Sequence, residues 1–448
     1  MKLKLNFPKD LYSDVRVEEN YSIWFSNENG EVDRDGDCEK KGAMIRVFDG
    51  ELWYTASTND LNGIQEELDS LAKLAKPNPD IYENPEIKLL EVNKDSVFKF
   101  TGENDVRNYT RNDFKELVDY YIDNCIDCSI PEMNFWNVAA NAVHFEYSFY
   151  SSKGAEIEYD SQETRIGAVE AFTVDGATTY GYKIIMKPCF EELKGHEEAV
   201  NKKMQESLNY AKNAVDVEPG DYCCVLAPFV TAMFTHESFG HKSESDFMLN
   251  DKTLQDEWVM GKKVGTELVS ICDDGSLNNH GYKPYDDQGT KARETWLIKD
   301  GVLTGRLHDA QSASILNEEL TGNCRAQDYT CTPVVRMTNT YMKGGTTPIA
   351  NIFDGIKDGI FVADSGSGTG QAMFTIRPNI CYRIRDGKVC EPVRVNVING
   401  NVFKTLFDIE AIADDFVLCN ELVCGKSGQS VPVSAGGPTI RVKSLTVN

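Results

Sequence analysis

The sequence predicts an α+β protein in two parts. A mixed α/β N-terminal domain spans residues 1–216, and a mainly antiparallel, barrel-like β domain spans 217–448. Three observations lead there. At 448 residues the chain is long for one core, so two units of roughly 200 residues are expected. The first half alternates helical and strand hydrophobic periods, whereas the second is dominated by short apolar runs joined by Asn-Gly or Asp-Gly. Between them, "DVEPGD" supplies a Pro-Gly break.

In the first half, "TNDLNGIQEELDSLAKLAKP" sets Leu61, Ile64, Leu68, Leu71 and Ala75 on one helical stripe, with Asn59 or Asp60 as a cap and Pro77 past the end. "TRNDFKELVDYYID" predicts a second helix with Phe114, Leu117, Val118 and Tyr121 on its buried face. "VHFEYSFYSS" changes to period two, which puts Phe145, Tyr147 and Phe149 on one side of a strand. Further strands follow through "AVEAFTVDGATTYGYKIIMK", and "FEELKGHEEAVNKKMQESLNYAKNAV" reads as one long polar helix.

In the second half, Asp300-Gly301, Asp386-Gly387 and Asn399-Gly400 are each flanked by apolar runs. Such dipeptides favour the positive φ angles of type I′ hairpin turns, so three hairpins are expected. Two helices are expected among them. One surrounds "THESFGH"; the other lies at "TTPIANIFDGIK", with Thr347 as cap and Pro348 in the first helical position.

Charge narrows the function classes. With 46 Lys+Arg against 71 Asp+Glu the net charge is -25, a balance that repels a phosphate backbone, so no nucleic-acid partner is expected. The start has no apolar signal core, and no apolar run approaches 18 residues, so no membrane partner and a cytoplasmic location are expected. The 13 cysteines are odd in number and scattered, which fits reduced, mostly buried thiols rather than a disulfide framework.

"THESFGH" holds His236, Glu237 and His241. Two imidazoles can hold zinc, and an adjacent glutamate can take a proton from the water that attacks an amide. The spacing is unusual. On a regular helix, residues five apart project about 140° from each other, on nearly opposite faces. A π-bulge widens one turn and brings that separation to about 50°, so both rings can meet one ion. Gly240 permits the loosening. The plain alternative, histidines serving only packing, is represented by His196-Glu197, which has no histidine four or five residues on. His280 and His308 also lack a partner pattern and read as structural.

"FTHESFGHKSESDF", "GTKARETWLIKDGVLTGRLHD", "TGNCRAQDYTCTPVVRMTNTYMKGG" and "LVCGKSGQSVPVSAGGPTIRVKSLTV" together resemble the TldD/PmbA family, zinc peptidases once described as modulators of DNA gyrase. The resemblance covers residues 217–448 and, more weakly, the first half through "YSSKGAEIEYDSQETRIGAVEAF". It implies that His236, His241 and Cys424, the last in a C-G-K-x-G-Q stretch, hold Zn2+, with Glu237 as the general base. It also implies a homodimer, or a heterodimer with a metal-free relative, acting on a peptide substrate. Glu244 and Asp246 in "HKSESD" could orient the histidines or be exposed acids.

Two rivals stand beside this peptidase reading. One is a non-catalytic, partner-binding subunit with a structural metal; the other is a metal-dependent amidohydrolase of a small molecule. Three further motifs read as structural. "CIDC" stands alone, without a second pair. "SGSGTGQ" lacks the Lys-Ser/Thr of a phosphate loop and reads as a glycine-rich turn lining the cleft. "DDGSLNNHGYKPYDDQG" reads as a long surface loop.

Overall fold

The computed structural model describes residues 3–370 and 372–448, with the side chain of Glu421 left out. It has the expected α+β architecture: helices and strands are mixed, and a closed five-strand barrel lies in the second half. The first half forms a seven-stranded sheet. Its spatial order is Trp53–Thr58, Glu31–Phe48, Tyr12–Glu28, Met133–Ser151 and Glu156–Val174, with Lys94–Val97 and Ala177–Lys187 sharing the last strand's free edge. All pairings are antiparallel except that of Lys94–Val97 with Glu156–Tyr159.

Helix α1, Ile64–Leu74, buries Ile64, Leu68 and Leu71 against Val15, Ala43, Ile45 and Val47. Its cap differs from expectation: Gly63 takes the N-cap position with no side-chain bond, because the Asp60 carboxylate is turned to the amide of Asn62 in a preceding turn. Helix α2, Arg111–Cys125, starts with a capping box between Thr110 and Asp113 and buries the predicted face. The long polar helix is broken. A 3-10 turn, Phe190–Leu193, is separated from α3, Glu197–Asn213, by Gly195 at φ +88, a conformation that ends a helix and suits glycine.

In the second half, strands Asp358–Gly370, Gly220–Leu226, Ile440–Val447, Ile398–Asn401 and Met373–Arg385 close on themselves. Leu226, Ile360, Phe374, Ile398, Val442 and Leu445 belong to its core. A separate six-stranded sheet ends in the antiparallel hairpin Val417–Lys426/Gln429–Gly437, with Val417–Lys426 as its outer strand. Helix α4, Pro228–Thr235, packs against both the barrel strand Asp358–Gly370 and this hairpin. The sequence from Val230 to Thr235 is buried all round, which fits a helix with sheet on either side.

The hairpins at Asp300-Gly301 and Asp386-Gly387 form, with positive φ at both residues of each pair. Asn399-Gly400 does not turn. Both residues lie inside strand Ile398–Asn401, and Val402–Phe407 is helical, capped by the Asn401 side chain. Gly400 is required there for closeness instead: a β-carbon would meet the Phe374 ring at 2.5 Å. The helix expected at Thr347 is only a 3-10 turn, Ile349–Asn351, because Asp414 captures the Ile349 amide and Thr347 bridges to Ala413.

The predicted surface loop is largely buried. Residues 285–290 sit at the seam between the halves, where Tyr147 donates to the Asp286 carbonyl and Arg16 pairs with Asp287 at 3.2 Å. Interior burial is possible because Lys283 and Arg16 together neutralise Asp287, whose carboxyl stays down at about 2 although burial opposes this. None of the 13 cysteines forms a disulfide among the described residues, but only six are buried; five are partly exposed and two exposed. No helix among the described residues is long and apolar enough to cross a membrane.

Candidate metal centre

Pro228 opens α4 and sends an apolar helix between the two sheets. At its end the backbone widens. Residues His236–Gly240 form a π turn in which the His241 amide bonds the His236 carbonyl, followed by a 3-10 turn, His241–Ser243. The widened turn puts the two imidazoles side by side, with ring centroids 5.1 Å apart and planes at 75°.

Gly240 acts differently from expectation. Its φ of -58 is ordinary helix, so no left-handed conformation is involved. What it provides is space: a β-carbon would lie 1.9 Å from Met337 Sδ. "SGSGTGQ" is also not a turn over residues 365–370, which belong to the strand Asp358–Gly370; Gln371 lies outside the described residues. Its glycines let that strand press on the π turn. A β-carbon on Gly370 would meet the Glu237 carbonyl at 2.8 Å, and one on Gly368 the Glu237 Cγ at 3.4 Å.

Cys424 comes from the outer strand of the hairpin, 183 residues beyond His241, with its Sγ 3.4 Å from His241 Nε2. The donor atoms of His236, His241 and Cys424 all lie within 4.8 Å of one another, and among the described residues this is the one group of three or more His, Cys, Asp or Glu so arranged. Ligands about 2.0–2.3 Å from zinc sit roughly 3.5–4 Å apart, so the set needs only slight closure.

The site's electrostatics favour a cation. Burial pushes the Cys424 thiol up, but hydrogen bonds and charge from His236 and His241 outweigh this and carry it down to about 5. Burial pushes His241 down, and the Cys424 and Glu244 partners overcome it and raise it to about 10. A thiolate–imidazolium pair results, and a metal would displace the imidazolium proton. His236 Nδ1 is buried without a hydrogen-bond partner, the kind of orphaned donor that fits a ligand shell. Burial also raises the Glu237 carboxyl, opposed by the two histidines, which suits a group that must hold and return a proton.

The two acids left open by sequence separate here. Glu244, fully buried, accepts from His241 Nδ1 at 3.1 Å. Asp246 touches neither histidine and instead pairs with Lys426, at 2.7 Å from both oxygens. His308 is buried among Ser245, Ser312 and Glu318, His280 pairs with Glu163, and Cys125 and Cys128 are free. Sequence reasoning missed Lys426 and Arg336. Arg336 donates to the Cys424 carbonyl from a fully buried position and holds the hairpin in place. Lys426 had a readable signal: two residues past Cys424 on a strand, it shares that residue's face.

Residues 219–448 match the PmbA/TldA metallopeptidase C-terminal domain, and residues 13–76 match PmbA/TldA metallopeptidase domain 1. A metalloprotease of Synechocystis sp. is 31% identical over 441 residues, covering 97% of this chain and 94% of that protein. A zinc metalloprotease TldD homolog of Saccharolobus solfataricus is 31% identical over 326 residues, covering 71% and 72%. Among solved structures, a Thermotoga maritima protein superposes with a TM-score of 0.78 at 16% identity, covering 98% of this chain and 96% of the other. TldE from Thermococcus kodakarensis superposes with 0.75 at 15%, covering 97% and 96%. At such identities these two establish the fold alone.

Proposed function

The chain belongs to the PmbA/TldD metallopeptidase family, and from that premise we propose that it hydrolyses peptide bonds in unfolded or small peptides, with zinc held by His236, His241 and Cys424. The observation that carries this reading is the convergence of two imidazoles and one distant thiolate at a π turn whose second residue is a glutamate. One thiolate and two neutral imidazoles suit Zn2+, and three protein ligands are the number that catalytic zinc sites use. Bound there, the cation supplies Lewis acidity, polarising a carbonyl and bringing the pKa of water to near 7.

The chain's own groups supply the rest. Glu237 takes the proton released as the amide is attacked and delivers it to the leaving nitrogen. Its raised carboxyl makes it a better base for the uptake. Glu244 holds the His241 ring by its Nδ1, leaving Nε2 free to ligate. Substrate enters as an extended chain. The strand Val417–Lys426, which carries Cys424, is outermost in its sheet, so a peptide can add to it through main-chain hydrogen bonds with little side-chain selectivity.

Residues 217–448 form the catalytic unit in this reading, and residues 1–216 a supporting domain. The partner in this reading is a second copy or a metal-free relative. A cytoplasmic location suits the free thiols. The deciding experiment is metal analysis of the wild type beside Cys424→Ser, with peptidase activity measured on the same samples. Stoichiometric zinc and activity in the wild type, both lost in the variant, are expected. Equal activity in the two would end the proposal, and zinc without hydrolysis of any peptide would favour the non-catalytic subunit.

A further inference from the structure

We propose that Lys426 is a positioning residue of the metal site, acting through Glu244 to fix the orientation of His241 and to tie the His241 loop to the strand that carries Cys424. This rests on the metal reading above and names a group that the reading does not require. The side chain of Lys426 is 4% exposed. Burying an ammonium costs several kcal/mol unless its donors and charge are matched, and here they are. Nζ lies 2.7 Å from the Val335 carbonyl, 2.7 Å from each Asp246 oxygen and 3.3 Å from Glu244 Oε2.

Glu244 needs that cation. It has no solvent contact, and its Oε1 has no hydrogen-bond partner. Its Oε2 lies between Lys426 Nζ and His241 Nδ1. Lys426 sits against the buried Glu244 side chain, Glu244 Oε2 accepts the His241 Nδ1–H hydrogen bond, and His241 Nε2 is left facing Cys424 Sγ at 3.4 Å. The strand geometry makes the coupling direct. Residues 424 and 426 point to the same face, so one short stretch delivers both the thiol and the ammonium that steadies the opposing imidazole. The loop and strand so joined are 180 residues apart in the chain.

The test is Co2+ affinity, read from the thiolate-to-cobalt absorption band, for the wild type, Lys426→Met, the charge-matched pair Glu244→Gln with Lys426→Met, and Asp246→Asn. Thermal melts report folding. Folded variants lacking Lys426 should bind Co2+ 10- to 100-fold more weakly, the usual effect of losing such a partner; Asp246→Asn, which leaves Lys426 its Val335 and Glu244 contacts, should weaken binding less than Lys426→Met does. Affinity within threefold of wild type in a folded Lys426→Met protein, single or paired, overturns the proposal. Should neither fold, the histidine nitrogen NMR spectrum of the zinc-loaded wild type decides: metal on Nε2 with a protected Nδ1–H on His241 supports it, and metal on Nδ1 overturns it. A wild type that takes up no Co2+ sinks the metal reading and this one together. Wild-type binding with an unaffected Lys426→Met sinks this one alone.

Discussion

Met337 Sδ occupies the place a β-carbon on Gly240 would need, 1.9 Å from it, in a residue with no solvent exposure. The π turn that pairs His236 with His241 is therefore seated by packing as much as by its own backbone. Gly240→Ala should destabilise the protein by about 1–3 kcal/mol, the range for overpacking a filled core, and should weaken metal uptake because His241 is the next residue. Urea unfolding of the single variant and of Gly240→Ala with Met337→Ala would check this. The second change should restore part of the loss, and no restoration would mean the glycine serves some other purpose.

Gly370 is the harder case, since its missing side chain faces the Glu237 main-chain carbonyl at 2.8 Å and not a flexible group. Gly370→Ala should shift the π turn and lower kcat/KM at least tenfold. Comparison with Gly176→Ala, which has open space around it but a φ of +82, separates displacement of the turn from a general loss of stability. Equal activity of the Gly370 variant and wild type would refute the role given to that strand.

Glu237→Gln should keep the zinc and lose the chemistry. Removing a general base costs roughly 10²- to 10⁴-fold, so kcat should fall by at least a hundredfold at unchanged metal content and unchanged melting temperature. Full activity in this variant would exclude Glu237 as the proton carrier.

Glu86 gives a pH signature remote from the site. Burial, reinforced by Asp309, raises its carboxyl to about 7, against opposing Arg46 and a Trp53 hydrogen bond. The native state thus binds a proton more tightly than the unfolded chain. The associated stability is complete below about pH 4.5 and is lost as pH rises through about 7. Glu86→Gln removes that dependence. At pH 8 the variant should be more stable than wild type by about 3 kcal/mol, and near pH 4.5 the two should coincide. Parallel urea curves across this range, with a constant difference, would rule out the shifted carboxyl.

Backbone N-methylation of a peptide substrate tests the outer strand Val417–Lys426 as its docking edge. Successive residues of a paired strand point their N–H groups alternately toward and away from the neighbour. Methylation at alternate positions should therefore raise KM about tenfold, and the positions between should be nearly silent. A flat profile along the peptide would count against strand addition.

Much of the fold was readable in the chain. The stripe of Phe114, Leu117, Val118 and Tyr121 and the Asp-Gly hairpins at Asp300 and Asp386 depend on residues a few positions apart, and local backbone preference writes such features directly. Asn399-Gly400 misled for the same reason. A turn dipeptide states what the backbone can do, and here Phe374 across the sheet and the Asn401 cap decided what it does. Likewise "YDDQG" looked like solvent-exposed chain because its acids carry no sign of their partners. Arg16 lies 271 residues before Asp287 in the chain, and that pairing allows the segment to be interior.

By itself the sequence determined that His236 and His241 must be brought together by a widened turn or not at all, because helical geometry allows no other route at a spacing of five. The resemblance pointed to Cys424, and the tertiary structure alone decided which acid holds His241 and why Gly240 and Gly370 must be bare. For Cys424 and Gly370 those choices rest on sheet pairing and on groups more than a hundred residues distant. Distance along the chain carries no information about contact until the sheets close.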